Sequence, residues 1–240
     1  METNRTVIER RRHVNKGYTL GYSLLVPSAR KPRAAIRRAR EQEIVDATRA
    51  LFDERGSDDV RIDHIARRVG INKALIYRHF ASKEELFALT TTRYLAEINA
   101  LLGAVNQQTT DAPERLRRGF EAFADYGIAH PAFLDCALSL LRQPVEELRA
   151  QVSDAVWLRL GRAIGACTGW LAAVLHDLGV VEPDRHANQL YLQAIGVLHL
   201  ARSGVGLRAI APGVPEAFPV STEQVRAACV QLAVAAAPTD

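Results

Sequence analysis

The stretch whose reading decides the fold is Ile62–Leu86, IDHIARRVGINKALIYRHFASKEEL. Ile62, Ile65, Ala66 and Val69 fall at i, i+3, i+4 and i+7, the spacing of one apolar helical face. The spacing predicts a short helix over Ile62–Val69, in which the small Ala66 lets a second helix cross closely. Gly70 follows, a residue that takes positive φ at no steric cost and lets the chain turn sharply. Asn72 is a good N-cap, so a second helix is expected over about Lys73–His79. Leu75 and Ile76 would lie behind it, with Lys73, Ala74, Tyr77 and Arg78 facing outward. Ser82 then caps a third helix, and Glu85 at its third position completes a capping box. Two short helices joined by one glycine, the second bearing Lys, Tyr, Arg and His, read as a helix-turn-helix. Such a motif lays its second helix in the major groove of DNA. An ordinary helical hairpin shares the apolar spacing but does not explain that cluster on so short a helix.

Upstream, a helix is expected over Ala34–Arg55, with Ile44, Thr48, Leu51 and Phe52 on its buried face and Gly56 ending it. Arg37, Arg38 and Arg40 crowd its first turns, where the helix dipole disfavours cations. Nearby phosphate explains them better than a solvated face. The net charge of +4 over 240 residues hides an asymmetry: residues 1–40 hold 11 Lys and Arg against Glu2 and Glu9, and the remainder is net acidic. Positive charge therefore sits beside the helix-turn-helix, where phosphate neutralisation requires it. Residues 1–33 read as a basic, disordered extension, either an inert tail or an arm placing Arg30, Lys31 or Arg33 in the minor groove.

Downstream, helical patterns cover Ser82–Leu102, Pro113–His130, Pro131–Leu141, Val145–Leu178, Pro183–Ser203 and Thr222–Ala236. Val105–Asp111 and Gly204–Pro219 read as loops, the second for its density of glycine and proline. With no β alternation of useful length, the expected class is all-α. The expected layout is residues 1–33 as extension, 34–81 as a three-helix DNA-binding domain, and 82–240 as a larger helical domain for ligand binding and dimerisation. Phe120, Phe123, Tyr126, Phe133, Trp157, Trp170 and Tyr191 gather in the last of these. Each alone suits plain core packing; as a set they can line a cavity between helices, the usual place for a small-molecule site in such a domain. His176 and His199 could add polar anchors, and the scarcity of buried charge points to an apolar or amphipathic ligand. Small residues on Val145–Leu178 (Gly161, Ala163, Gly165, Ala166, Gly169, Ala172, Ala173) would permit close approach of a second subunit.

Cys136, Cys167 and Cys229 are too far apart for a zinc site or a disulfide framework and read as buried thiols in a reducing cytoplasm. No apolar run reaches the length of a membrane span. A Gly-rich phosphate loop, a nucleophile elbow and an HExxH motif are all missing, so neither an enzyme nor a cofactor or metal is expected.

Ile65-Ala66, Gly70-Ile71, Leu75-Ile76-Tyr77, His79-Phe80 and Ser82-Lys83-Glu84-Glu85-Leu86 together resemble the TetR/AcrR family of transcriptional repressors. The resemblance covers about Ala35–Leu95. It implies a homodimer on a palindromic double-stranded operator, released by a small-molecule effector. It places Lys73 and Ala74 at base edges and Tyr77, His79 and Lys83 at phosphates. Lys suits guanine O6 and N7, and Ala74 suits a thymine methyl. Asn72, Arg78, Arg37 and Arg38 complete the expected DNA face. Arg61 departs from the family, which often has a capping Thr or Ser there; Arg61 can reach a phosphate but cannot cap, leaving Ser57, Asp58 or Asp59 as candidates. The rival readings are a DNA-binding or architectural protein without an effector and, more remotely, a helical enzyme.

Overall fold

The computed structural model describes residues 33–236. The basic extension read from residues 1–33 therefore lies, but for Arg33, outside the described residues. Three helices come first: α1 (Arg33–Arg55), α2 (Ile62–Val69) and α3 (Lys73–Tyr77). Ile44, Leu51, Phe52, Val60, Ile65 and Ile76 close a core between them. Gly70 ends α2 with φ of 72°, and the Ile71 N–H returns to Ala66 O at 3.0 Å. Asn72 Oδ1 accepts the Leu75 N–H at 2.8 Å, capping α3 as the sequence predicts. The second helix is shorter than expected, since Arg78 and His79 form a turn rather than helix.

Then follow α4 (Lys83–Gln108), α5 (Ala112–Ala129), α6 (Pro131–Arg142), α7 (Val145–Gln151), α8 (Asp154–Asp177), α9 (Pro183–Ser203) and α10 (Thr222–Ala236). α4 packs on α5 and α8, α8 on α9, and α10 against α5 and α9. The helical class holds, with three departures. First, α4 continues to Gln108, because Leu95, Ile98, Leu102 and Val105 keep one buried face in step. Second, the helix expected over Val145–Leu178 breaks at Val152 and Ser153. Both take extended ψ angles, and the Val152 side chain is buried. Third, Gly204–Pro219 is not a loop. It is an antiparallel hairpin of β1 (Val205–Ala211) and β2 (Val214–Pro219). Pro212-Gly213 makes its turn, with Gly213 at φ 76°, the pairing of a type II turn. Pro215 and Pro219 are tolerated because in a two-stranded sheet every strand is an edge.

By length and composition α8 is long and apolar enough to cross a membrane, which corrects the expectation of no such run. Here it packs between α4 and α9, burying Val156, Leu160, Cys167, Leu171, Val174 and Leu175.

Candidate DNA interface and regulatory cavity

The residues expected to meet DNA fall into two groups. Asn72, Lys73, Ala74, Tyr77 and Arg78 are exposed on one side of α3, while Ile76 anchors the helix from behind. Lys73 Nζ lies 3.7 Å from Asp63 Oδ1, a weak tether that a phosphate or base can displace. Arg61 is exposed at the N-cap of α2. Its guanidinium cannot accept a hydrogen bond; instead the Arg61 N–H donates to His64 Nδ1 at 3.4 Å. That contact satisfies the Arg61 N–H and no free N–H of α2, so α2 carries no side-chain cap, from Ser57, Asp58 or Asp59 either. Arg37 and Arg38 are exposed on the first turns of α1, where Arg37 pairs with Glu41 at 2.7 Å. Arg40 pairs with Glu43 at 2.7 Å.

Two expected contacts point elsewhere. The His79 side chain is only 14% exposed, with Nδ1 3.5 Å from Glu41 Oε1 on α1. It packs the motif against α1 rather than facing outward. Lys83 is half-buried, its Nζ 4.6 Å from the centre of the Phe87 ring. It lines a cleft of about 200 Å³ between the two halves, with Ser57, Asp58, Cys136, Ser139 and Gln143.

The halves are joined by polar contacts that the sequence did not reveal. Arg49 on α1 forms a bidentate pair with Glu97 on α4. Its guanidinium lies 4.5 Å over the Tyr94 ring. Tyr94 Oη donates to Asp53 at 2.8 Å, and Tyr126 Oη on α5 donates to Glu97 at 2.8 Å. The hydrogen bond from Arg49 holds the Glu97 carboxyl below the usual range. Burial, then hydrogen bonding to the carboxylates, pushes both tyrosine hydroxyls well above theirs. At the start of α4, Ser82 Oγ accepts the Glu85 N–H at 2.8 Å and donates to Gln151 O at 2.6 Å. The Glu85 side chain does not close the expected capping box. It accepts from Ser153 N at 3.0 Å and Ser153 Oγ at 3.3 Å, at the break between α7 and α8.

Of the aromatic set, Phe120, Phe123, Trp170 and Tyr191 come together. With Leu102, Gly119, Cys167, Leu171 and Ala194 they surround an apolar cavity of about 40 Å³. Tyr191 and Phe133 border a neighbouring cleft of about 280 Å³, lined also by Thr91, Leu95, Ile164 and Leu192. Tyr126 packs 6.0 Å from Phe133 between ring centres but turns its hydroxyl to Glu97. Trp157 and His176 lie apart. Trp157 sits under the Arg149 guanidinium, and His176 is exposed on α8 beside Asp177. Gly119 matters because the Trp170 ring lies against its bare Cα. Small and aliphatic lining residues of this kind carry no signature in sequence. All three cysteines are buried, with burial pushing Cys136 and Cys167 up to about 12 and Cys229 to about 11.

Residues 44–90, from mid α1 into α4, match the family model described as bacterial regulatory proteins, tetR family. The HTH-type transcriptional activator FasR of Mycolicibacterium smegmatis is 33% identical over 87 residues, which are 36% of this chain and 40% of FasR. Over this segment the chain matches the TetR family. The match spans about two-fifths of that relative's length, so it speaks for the N-terminal part of the chain alone. The helical fold extends further. RolR in complex with resorcinol superposes with a TM-score of 0.58 at 16% identity, over 85% of this chain and 94% of RolR. BioQ with its double-stranded DNA operator superposes with a TM-score of 0.56 at 17% identity, over 82% and 97%.

Proposed function

We propose that this chain is a TetR-family protein: a cytoplasmic, homodimeric, sequence-specific regulator of transcription. In this reading it is a repressor that leaves a palindromic operator when a small apolar or amphipathic molecule occupies its regulatory half. The observation that carries DNA binding is the exposed row Lys73, Ala74, Tyr77 and Arg78 on α3, a helix whose back is locked by Ile76. Two such helices related by a twofold axis reach successive major grooves of a palindrome. An effector acts only through unequal affinity for two packings of the regulatory helices. Here the polar joint of Arg49, Glu97 and Tyr126 ties α1 to α4 and α5, so displacement of α5 is felt by the DNA-binding end.

The test is selection of bound sequences from random DNA, with Lys73→Ala and Tyr77→Ala beside the parent protein. Enrichment of a palindrome, lost in both variants, supports the reading. Binding without sequence preference favours an architectural role, and no binding at low salt refutes both. The cavity volume favours a second reading, DNA binding without an effector. About 40 Å³ holds a few waters at most, so a ligand would have to displace Trp170 or Tyr191. A thermal-shift screen of lipophilic compounds separates the two: reproducible stabilisation by one chemical series supports an effector.

A further inference from the structure

The hairpin β1–β2 leaves α9 through Gly204 and is closed at its base by the Val220 N–H on Gly204 O at 2.9 Å. Strand alternation and register place Val205, Leu207 and Ala209 opposite Pro219, Ala217 and Pro215 on one face. All six are apolar and all six are exposed, Leu207 at 76%. The other face covers itself in part, with Ile210 at the bulge left exposed. Arg208 pairs with Glu216 at 2.6 Å and lies 5.7 Å from the centre of the Phe218 ring, and that ring packs on Gly206. The bare face is thus the one without a charge. Soluble proteins usually protect such edges with charged side chains, and an isolated two-stranded hairpin is marginal in water.

We infer that the hairpin is a dimerisation arm whose apolar face lies on a second copy of this chain. The inference rests on the dimer proposed above. The exposed residues of α8 include Gly165, Ala166, Gly169 and Ala173, which allow close helix approach but add little side-chain area. A stable dimer needs about 800 Å² on each subunit. Strand rise and spacing give the hairpin face about 17 by 10 Å, or roughly 170 Å². In a twofold dimer each subunit gives one arm and receives another, so the arms supply about 340 Å² per subunit, some two-fifths of the requirement. Leu158 on α8 and Leu192 and Leu200 on α9 are exposed apolar side chains of the kind the arm needs beneath it. The arm also starts from the end of α9 itself, so it joins the helix that carries Leu192 and Leu200 without a linker.

The experiment is sedimentation velocity on the full chain and on the double variant L207E/A209E, with E216Q on the opposite face as control. Circular dichroism checks that the helices are retained. The expected result is a dimeric parent and control, and a dimer dissociation constant at least tenfold higher in the double variant. A photo-crosslinking residue at position 207 should join two copies of the parent chain. A dimeric parent with an unchanged constant in the double variant, and no crosslinked dimer, overturns the arm and leaves the dimer standing. A parent that is monomeric at 100 µM overturns the dimer itself, and the arm with it.

Discussion

Gly119→Ala tests whether Trp170 is held as tightly as the packing implies. A Cβ at position 119 would lie 2.2 Å from Trp170 Cη2 and 2.6 Å from Cζ3. Carbon atoms settle about 3.5–4.0 Å apart, so the indole would have to withdraw by roughly 1.5 Å. Its Nε1 donates to Asn106 Oδ1 at 2.9 Å, and the cavity beside it offers only about 40 Å³. Overpacking of this kind costs about 1–3 kcal/mol. Alanine's better helix propensity offsets about 1 kcal/mol of it. The net expectation is a loss of about 0–2 kcal/mol. Gly103→Ala is the control: it lies on the exposed side of α4, where a Cβ meets nothing within 4 Å. That change should stabilise by about 0.5–1 kcal/mol. Urea unfolding at one fixed protein concentration measures both, since the stability of the proposed dimer would depend on concentration. If Gly119→Ala gained as much as Gly103→Ala, the Trp170 ring would be free to move and the packing argument would fail.

Asn72→Ala removes the cap of a five-residue helix and should cost about 1 kcal/mol locally. In fluorescence anisotropy operator affinity should fall about fivefold while the overall melting temperature stays within a degree or two; unchanged affinity would mean that α3 needs no cap. Glu97 has its carboxyl held below the usual range by Arg49, so its stabilising effect is present above the ordinary glutamate pKa and is lost as pH falls through the folded value. Glu97→Gln should therefore lose less stability than the parent as pH is taken from neutral down through and below the ordinary glutamate pKa of about 4.3, and equal losses would contradict the role given to the pair. The thiols behave in the opposite sense, being raised to about 12 at Cys136 and Cys167 and about 11 at Cys229. Their contribution is full below the unfolded thiol pKa of about 8.5 and declines above it. A disulfide reagent at pH 8 should label the folded chain only at the rate of unfolding, and immediate labelling of any one of the three would show that its burial is transient.

The motif was legible because local rules set it. Apolar spacing, Gly70 and Asn72 each act within four residues, and α2 spans the residues that this spacing marks. The outward row of α3 followed from the same periodicity. His79 was not legible, since its direction depends on Glu41, distant in sequence on α1; Lys83 was legible in part, because Phe87 lies four residues on in the same helix, α4. The break at Val152 and Ser153 had a signal in Ser153-Asp154, a good helix start, but the long apolar run on either side outweighed it. The hairpin hid behind its own prolines: Pro212 belongs to the turn, and Pro215 and Pro219 fit because, among the described residues, no third strand calls for the N–H that proline lacks. Four of the seven aromatic residues reached the cavity. Phe120 and Phe123 share one face of α5, whereas Trp157 answers to Arg149, a partner that no periodicity identifies.

Ser82 and Glu85 stand directly after the recognition helix, yet their hydrogen bonds run to Gln151 and Ser153 in the regulatory half. The reading head is for that reason not an interchangeable cartridge. A chimera that imported a foreign helix-turn-helix by cutting at residue 82 would keep the fastening on one side of the cut and lose Arg49 and Asp53 on the other. Retargeting to a new operator is better confined to the exposed side chains of α3, whose replacement leaves every fastening between the halves in place.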